Sequence, residues 1–133
     1  MNTNKVIKLI DSDVKKGLPP KRRYYRDENS SLWIGHDYAV YRLDGDVVFT
    51  KDWLEQDMQS IISRHVMANN ISLTNIQIKG VWLSNMGKYT ELSVFLADEA
   101  YLLAQTKYVE MLEKEEGHWE YNGGLLFFIQ GNP

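Results

Sequence analysis

Apolar and polar residues change their spacing several times along this chain, and each change marks an element. Val6, Ile7, Ile10 and Val14 recur at near-helical intervals until Gly17-Leu18-Pro19-Pro20 ends the run. "KVIKLI" also reads as a short strand, so residues 5–16 are open between the two, with helix preferred. Residues 19–31 are polar and led by proline, which predicts an exposed connection or arm. From Leu32 the segments "LWI", "YAVYRL" and "DVVFT" are rich in β-branched and aromatic residues. Asp44-Gly45, between the last two, signals a two-residue hairpin, because a type I′ turn needs positive φ at both positions.

The period then lengthens. Leu54, Met58, Ile61, Ile62, His65 and Val66 fall on one helical face, predicting a helix over about 51–68 with Thr50 as N-cap. In "SLTNIQIKGVWLS", Ile76 and Ile78 alternate and Gly80 suits a bulge. "SNMGK" turns the chain, and "YTELSVFLA" returns with Leu92, Val94 and Leu96 on one side. A second helix is expected over about 98–115, capped by Asp98, with Tyr101, Ala104, Tyr108, Val109 and Leu112 inward. "HWEY", Asn122-Gly123-Gly124 and "LLFFI" form a terminal hairpin. The order is (α)-β-β-β-α-β-β-α-β-β. Tight turns between neighbours make a mostly antiparallel sheet, the α+β class.

At 133 residues the chain suits one domain, residues 1–133, with 15–31 as its basic arm. There is no cysteine, which removes disulfides, thiolate zinc sites, iron–sulfur ligation and cysteine nucleophiles. No leader pattern opens the sequence, and the longest apolar stretch, Leu125–Ile129, is too short to cross a bilayer. The expected location is cytoplasmic. No cofactor is expected, since no phosphate-binding glycine loop, nucleophile elbow or zinc-ligand spacing occurs.

Net charge is −3, but residues 1–26 hold eight basic and two acidic groups, whereas 97–121 hold two basic and seven acidic. Such asymmetry means either an anionic partner or internal pairing. Its focus is "KKGLPPKRRYYR". Lys15, Lys16, Lys21, Arg22, Arg23 and Arg26 carry the charge, and Tyr24 and Tyr25 add stacking surfaces. Lys21, Arg22, Arg23, Tyr24, Tyr25 and Arg26 are the expected partner-binding residues.

Three other groups hold chemistry-bearing side chains. His36, Asp37, Asp44 and Asp46 surround the predicted hairpin and would suit a divalent cation or acid–base work. Strand alternation sends His36 and Asp37 to opposite faces, and aspartates collect at turns for conformational reasons. His65 lies in an apolar stripe, where packing outweighs ligation. Glu113, Glu115, Glu116, His118 and Glu120 form an acidic end. No catalytic or metal set stands out.

The element order resembles that of small α+β proteins that bind other proteins, such as secretion chaperones, immunity proteins and phage-encoded inhibitors. That likeness is one of fold pattern alone. The expected function is a non-catalytic protein-binding module, inhibitor, immunity-protein or chaperone-like. It would engage an acidic partner through the basic arm and exposed aromatics, and a homodimer is within its scope. Trp33, Trp53, Trp82 and Trp119 supply further anchors. The alternatives are nucleic-acid binding through the same arm and, behind it, a small metal-dependent hydrolase or nuclease.

Overall fold

The computed structural model describes residues 1–17, 19–49, 52–62, 71–72, 74–97, 100–122 and 125–130. It is α+β with antiparallel-dominated sheets, the class that the residue spacing predicts. The chain divides into two compact units, Met1–Ile62 and Ser63–Pro133.

In the first unit, helix α1 (Thr3–Lys15) starts where the Asn2 side chain accepts the Lys5 amide at 3.2 Å. Val6, Ile10 and Asp13 follow the helical period on its buried face. That face meets a sheet of order β3-β2-β1-β4, made of β1 (Arg22–Arg26), β2 (Leu32–Gly35), β3 (Val40–Leu43) and β4 (Trp53–Glu55). Leu32 and Ile34 of β2 and Tyr41 and Leu43 of β3 share one side of the sheet and are buried there. Each fully buried aliphatic side chain stabilises the unit by about 1.5–3 kcal/mol. β1, β2 and β3 pair antiparallel, and β4 joins the other edge of β1 in parallel.

The second unit packs a sheet of order β6-β7-β8 (Thr74–Asn85, Lys88–Ala97, Ala100–Gln105) against one of order β10-β9-β5 (Leu125–Gln130, Gly117–Asn122, Ile71–Ser72). Phe95, Val109 and Trp119 form its buried centre, with Leu102, Ala104 and Phe128 against them. Helix α2 (Gln59–Ile62) ends the first unit, and α3 (Thr106–Val109) follows β8 and runs into a 3-10 turn, Glu110–Leu112. Ser93 and Thr106 share a buried hydroxyl–hydroxyl hydrogen bond of 2.9 Å that ties β7 to the start of α3. "SNMGK" makes the expected turn between β6 and β7, with positive φ at both Met86 (52°) and Gly87 (79°), a type I′ pattern. The register of β6 shifts between Ile78 and Val81, around the expected bulge at Gly80. The terminal hairpin forms as predicted, with Leu125 opposite Asn122.

Four expectations change. Residues 15–31 are not a free arm, because Arg22–Arg26 form β1, an inner strand of the first sheet. Tyr24 and Tyr25 suit a strand, and the arginine stems lie along it while their heads reach carboxylates. The Asp44-Gly45 hairpin is absent. Gly45 does not take positive φ, and residues 46–49 carry no strand. The chain crosses instead to the far edge of β1. Within 51–68, Trp53–Glu55 is a strand and the helix covers Gln59–Ile62; Thr50, Lys51 and residues 63–70 lie outside the described residues. At the start of this helix Asp57 Oδ1 accepts the Gln59 amide at 2.9 Å. Within 98–115, Ala100–Gln105 is a strand, because Leu102 and Ala104 point inward at period two opposite Phe95 and Ser93. Asp98 lies outside the described residues.

Gly35 is required by close approach. A Cβ there would sit 2.1 Å from the Ala39 carbonyl oxygen and 2.8 Å from Val40 Cα, both backbone. Gly35→Ala is therefore expected to destabilise the protein by about 3 kcal/mol, the upper range for an overpacked site. A urea midpoint within experimental error of wild type would contradict this.

Candidate functional site

Alternation along β1 sends Arg22, Tyr24 and Arg26 to the side covered by α1 and Arg23 and Tyr25 to the other. On the α1 side, Arg22 Nε donates to Asp11 Oδ1 of the helix at 2.6 Å. Tyr24 stacks on Phe49 with ring centroids 4.2 Å apart, and Phe49 meets Trp53 at 5.2 Å. Arg26 donates to Asp46 Oδ1 at 2.6 Å. A shallow cleft of about 520 Å³ lies beside it, lined also by Arg42, Asp44 and Asp46. On the other side, Arg23 donates to Asp37 Oδ1 at 3.0 Å and to Gln56 Oε1, and the Tyr25 hydroxyl donates to Gln59 Oε1 at 3.2 Å. Lys21 precedes the strand and is exposed. Five of the six expected binding residues are thus strand residues, split between two faces.

The face away from α1 gathers a distinct set. Tyr25 lies directly across from Trp33, Trp33 across from Arg42, and Arg23 across from both Gly35 and Leu54. Cross-strand partners share a face, so Arg23, Tyr25, Trp33, Arg42 and Leu54 form one patch. Arg42 and Leu54 are exposed and the other three are partly exposed.

Asp27 organises the turn between β1 and β2. Its Oδ1 accepts the amides of Asn29 (2.8 Å) and Ser31 (3.0 Å), and its Oδ2 accepts the Trp33 indole N–H at 2.9 Å. These donors, the Trp33 bond first, and the nearby Arg42 charge hold the Asp27 carboxyl below its ordinary value, against partial burial.

His36, Asp37, Asp44 and Asp46 do not converge. His36 is buried, with Nε2 2.9 Å from Asp13 Oδ2 of α1. Its Nδ1 accepts the Tyr38 amide at 3.0 Å, so the ring proton sits on Nε2 and points at Asp13. Both ring nitrogens are engaged by the protein, which leaves neither to meet a substrate proton. Tyr41 completes the buried group: burial, with the Asp13 carboxylate second, pushes its phenol well up, so it stays a neutral hydroxyl. Asp37 and Asp46 turn to Arg23 and Arg26. His65 lies outside the described residues. In the acidic end, His118 pairs with Glu120 along β9. Among the described residues no group of three His, Asp or Glu side chains is placed to hold a metal ion, and no helix is long and apolar enough to cross a membrane.

Sequence reasoning missed Asp13, Asp27 and the face shared by Trp33 and Arg42. A carboxylate at the third position of the Val6–Ile10 stripe was a visible signal for Asp13. "DENS" after a basic run signals a side-chain-capped turn at Asp27. No protein-family model, curated protein or solved structure matches the chain.

Asp13→Ala leaves the His36 N–H buried without its acceptor and is expected to destabilise the protein by about 2–3 kcal/mol. Denaturant unfolding measures it, and a change under about 0.5 kcal/mol would refute the role assigned to Asp13. A depressed folded-state carboxyl stabilises above its unfolded value, about 3.8 for Asp27, and that contribution fades as pH falls through the lower folded value. The stability gap between wild type and Asp27→Ala should therefore be constant near neutrality and close on acidification. A gap that widened in acid would reverse the sign.

Proposed function

We propose that this chain is a non-catalytic protein-binding module acting in the cytoplasm, inhibitor, immunity-protein or chaperone-like, that engages an acidic partner. Its contact surface is the face of the first sheet that carries Arg23, Tyr25, Trp33 and Arg42. The observation that carries the reading is the register, which sets Tyr25, Trp33 and Arg42 side by side across three strands. Tyr, Trp and Arg are the side chains that dominate interface energetics, because each contributes a large contact area and a polar end.

The existing ion pairs do not oppose it. Arg23 and Asp37 are 25% and 50% exposed in their side chains, and Arg26 and Asp46 are 47% and 75% exposed. Pairs this open are worth about 0–1 kcal/mol, so a partner carboxylate exchanges with the internal one at little expense. Binding rather than catalysis is further supported by His36, whose two nitrogens are both occupied.

A second reading rests on the Tyr25–Trp33 pair, since two adjacent rings between arginines also suit stacked bases of a single-stranded nucleic acid. Affinity capture from native lysate, with and without nuclease, separates the two. The expected result is a protein retained after nuclease treatment and lost, by at least about tenfold, with Arg23→Ser/Arg42→Ser while the melting temperature stays within a few degrees. Retention by the double variant equal to wild type removes this face from the proposal. Complete release by nuclease, with binding that falls steeply in salt, replaces the protein partner with nucleic acid.

A further inference from the structure

Among the described residues strand β8 is an edge of its sheet, pairing with β7 through six residues in unbroken register from Leu92–Gln105 to Ala97–Ala100. Natural edge strands are commonly guarded by lysine, proline, a bulge or brevity. β8 reads AYLLAQ, with no charge and no proline. Two of its side chains, Tyr101 (72% exposed) and Leu103 (61% exposed), stand on the same side, while Leu102 and Ala104 turn inward to the Phe95 and Trp119 cluster. Among the described residues, β3, β4 and β6 at other sheet edges carry charge, in Arg42, Glu55 and Lys79. The edge strand β10, LLFFIQ, is also uncharged, but its apolar side chains are partly buried, and β5 has two residues only.

From this we infer that β8 is a homodimer seam, pairing antiparallel with β8 of a second copy of this chain. The occupant follows from charge and parity. About a two-fold axis, residues equidistant from the axis face one another, so a strand with no charge meets its own copy without opposing like charges. An axis perpendicular to the sheet keeps the inward side of both copies inward, which requires facing residues to differ by an even number. Centring the axis on Leu102 sets Tyr101 opposite Leu103 of the second copy, and the reverse, so both exposed apolar side chains are covered by an aromatic–aliphatic pair. Centring on Leu103 would leave Tyr101 opposite Gln105. The pairing extends the sheet to β6-β7-β8 followed by the same strands of the second copy in reverse. A seam of one strand pair lies at the small end of specific interfaces, so the expected dissociation constant is micromolar, about 10–100 µM. This seam is separate from the arginine–aromatic face of the first unit and stands or falls independently of it.

Sedimentation velocity from about 5 to 500 µM tests it, a range chosen to bracket that affinity. Wild type should pass from monomer to dimer. Tyr101→Lys/Leu103→Lys should remain monomeric throughout, since like charges then face one another. Tyr101→Lys/Leu103→Glu should dimerise again, because in the Leu102-centred register each introduced lysine faces an introduced glutamate. A wild type monomeric at the highest concentration overturns the inference, as does a dimer that survives the double-lysine change. A lysine–glutamate variant that stays monomeric overturns the register and with it the parity argument. Both substituted positions are exposed, and circular dichroism confirms that each variant is folded.

Discussion

The contact between Asp13 and His36 sets how the first helix lies on the first sheet. It takes a position that the helical period reserves for an apolar side chain and gives it to a carboxylate that meets the imidazole beyond Gly35. The same imidazole accepts the Tyr38 amide, and the His36 amide itself donates to the Ala39 carbonyl, so helix orientation and the β2–β3 turn depend on one residue. A buried polar pair of this kind adds little net stability over a well-packed apolar one; its contribution is to penalise every other placement of the helix. With α1 held to one side, Arg23, Tyr25, Trp33 and Arg42 are left together on the other.

Elements whose signals are local were legible. The α1 stripe, the "SNMGK" turn and the terminal hairpin depend on residues within a few positions of one another, and their geometry follows from φ preferences and period alone. Residues 100–105 were not, because Tyr101, Ala104 and Tyr108 satisfy a helical period while Leu102 and Ala104 also satisfy a strand period. Six ladder positions on β7 decided for the strand, and no local pattern announces a partner strand. Trp53–Glu55 was lost for the same reason, since its partner β1 is remote in sequence.

The candidate site shows the same division. That "KRRYYR" mattered was readable; where its charges go was not. Arg22, Arg23 and Arg26 find acids 11, 14 and 20 residues away. The first unit, residues 1–62, holds ten basic and ten acidic residues, so the basic run is neutralised within its own unit, and residues 63–133, with five and eight, carry the net −3. What looked like a gradient along the chain is mostly a set of short, solvent-exposed dipoles in space. A surface of that kind selects a partner by the arrangement of its charges more than by their sum.

The parallel strand β4 has a kinetic consequence. Trp53 pairs with Arg22 across 31 residues of chain, whereas β1, β2 and β3 join through connections of a few residues. Local hairpins close fast and long loops close slowly, so the three-stranded part forms first and β4 is added to a finished edge. That order runs backwards when the unit opens. The edge of β1 beneath β4 would be bared while the rest of the sheet is intact, and the aromatic clasp of Tyr24, Phe49 and Trp53 is what keeps that interval rare.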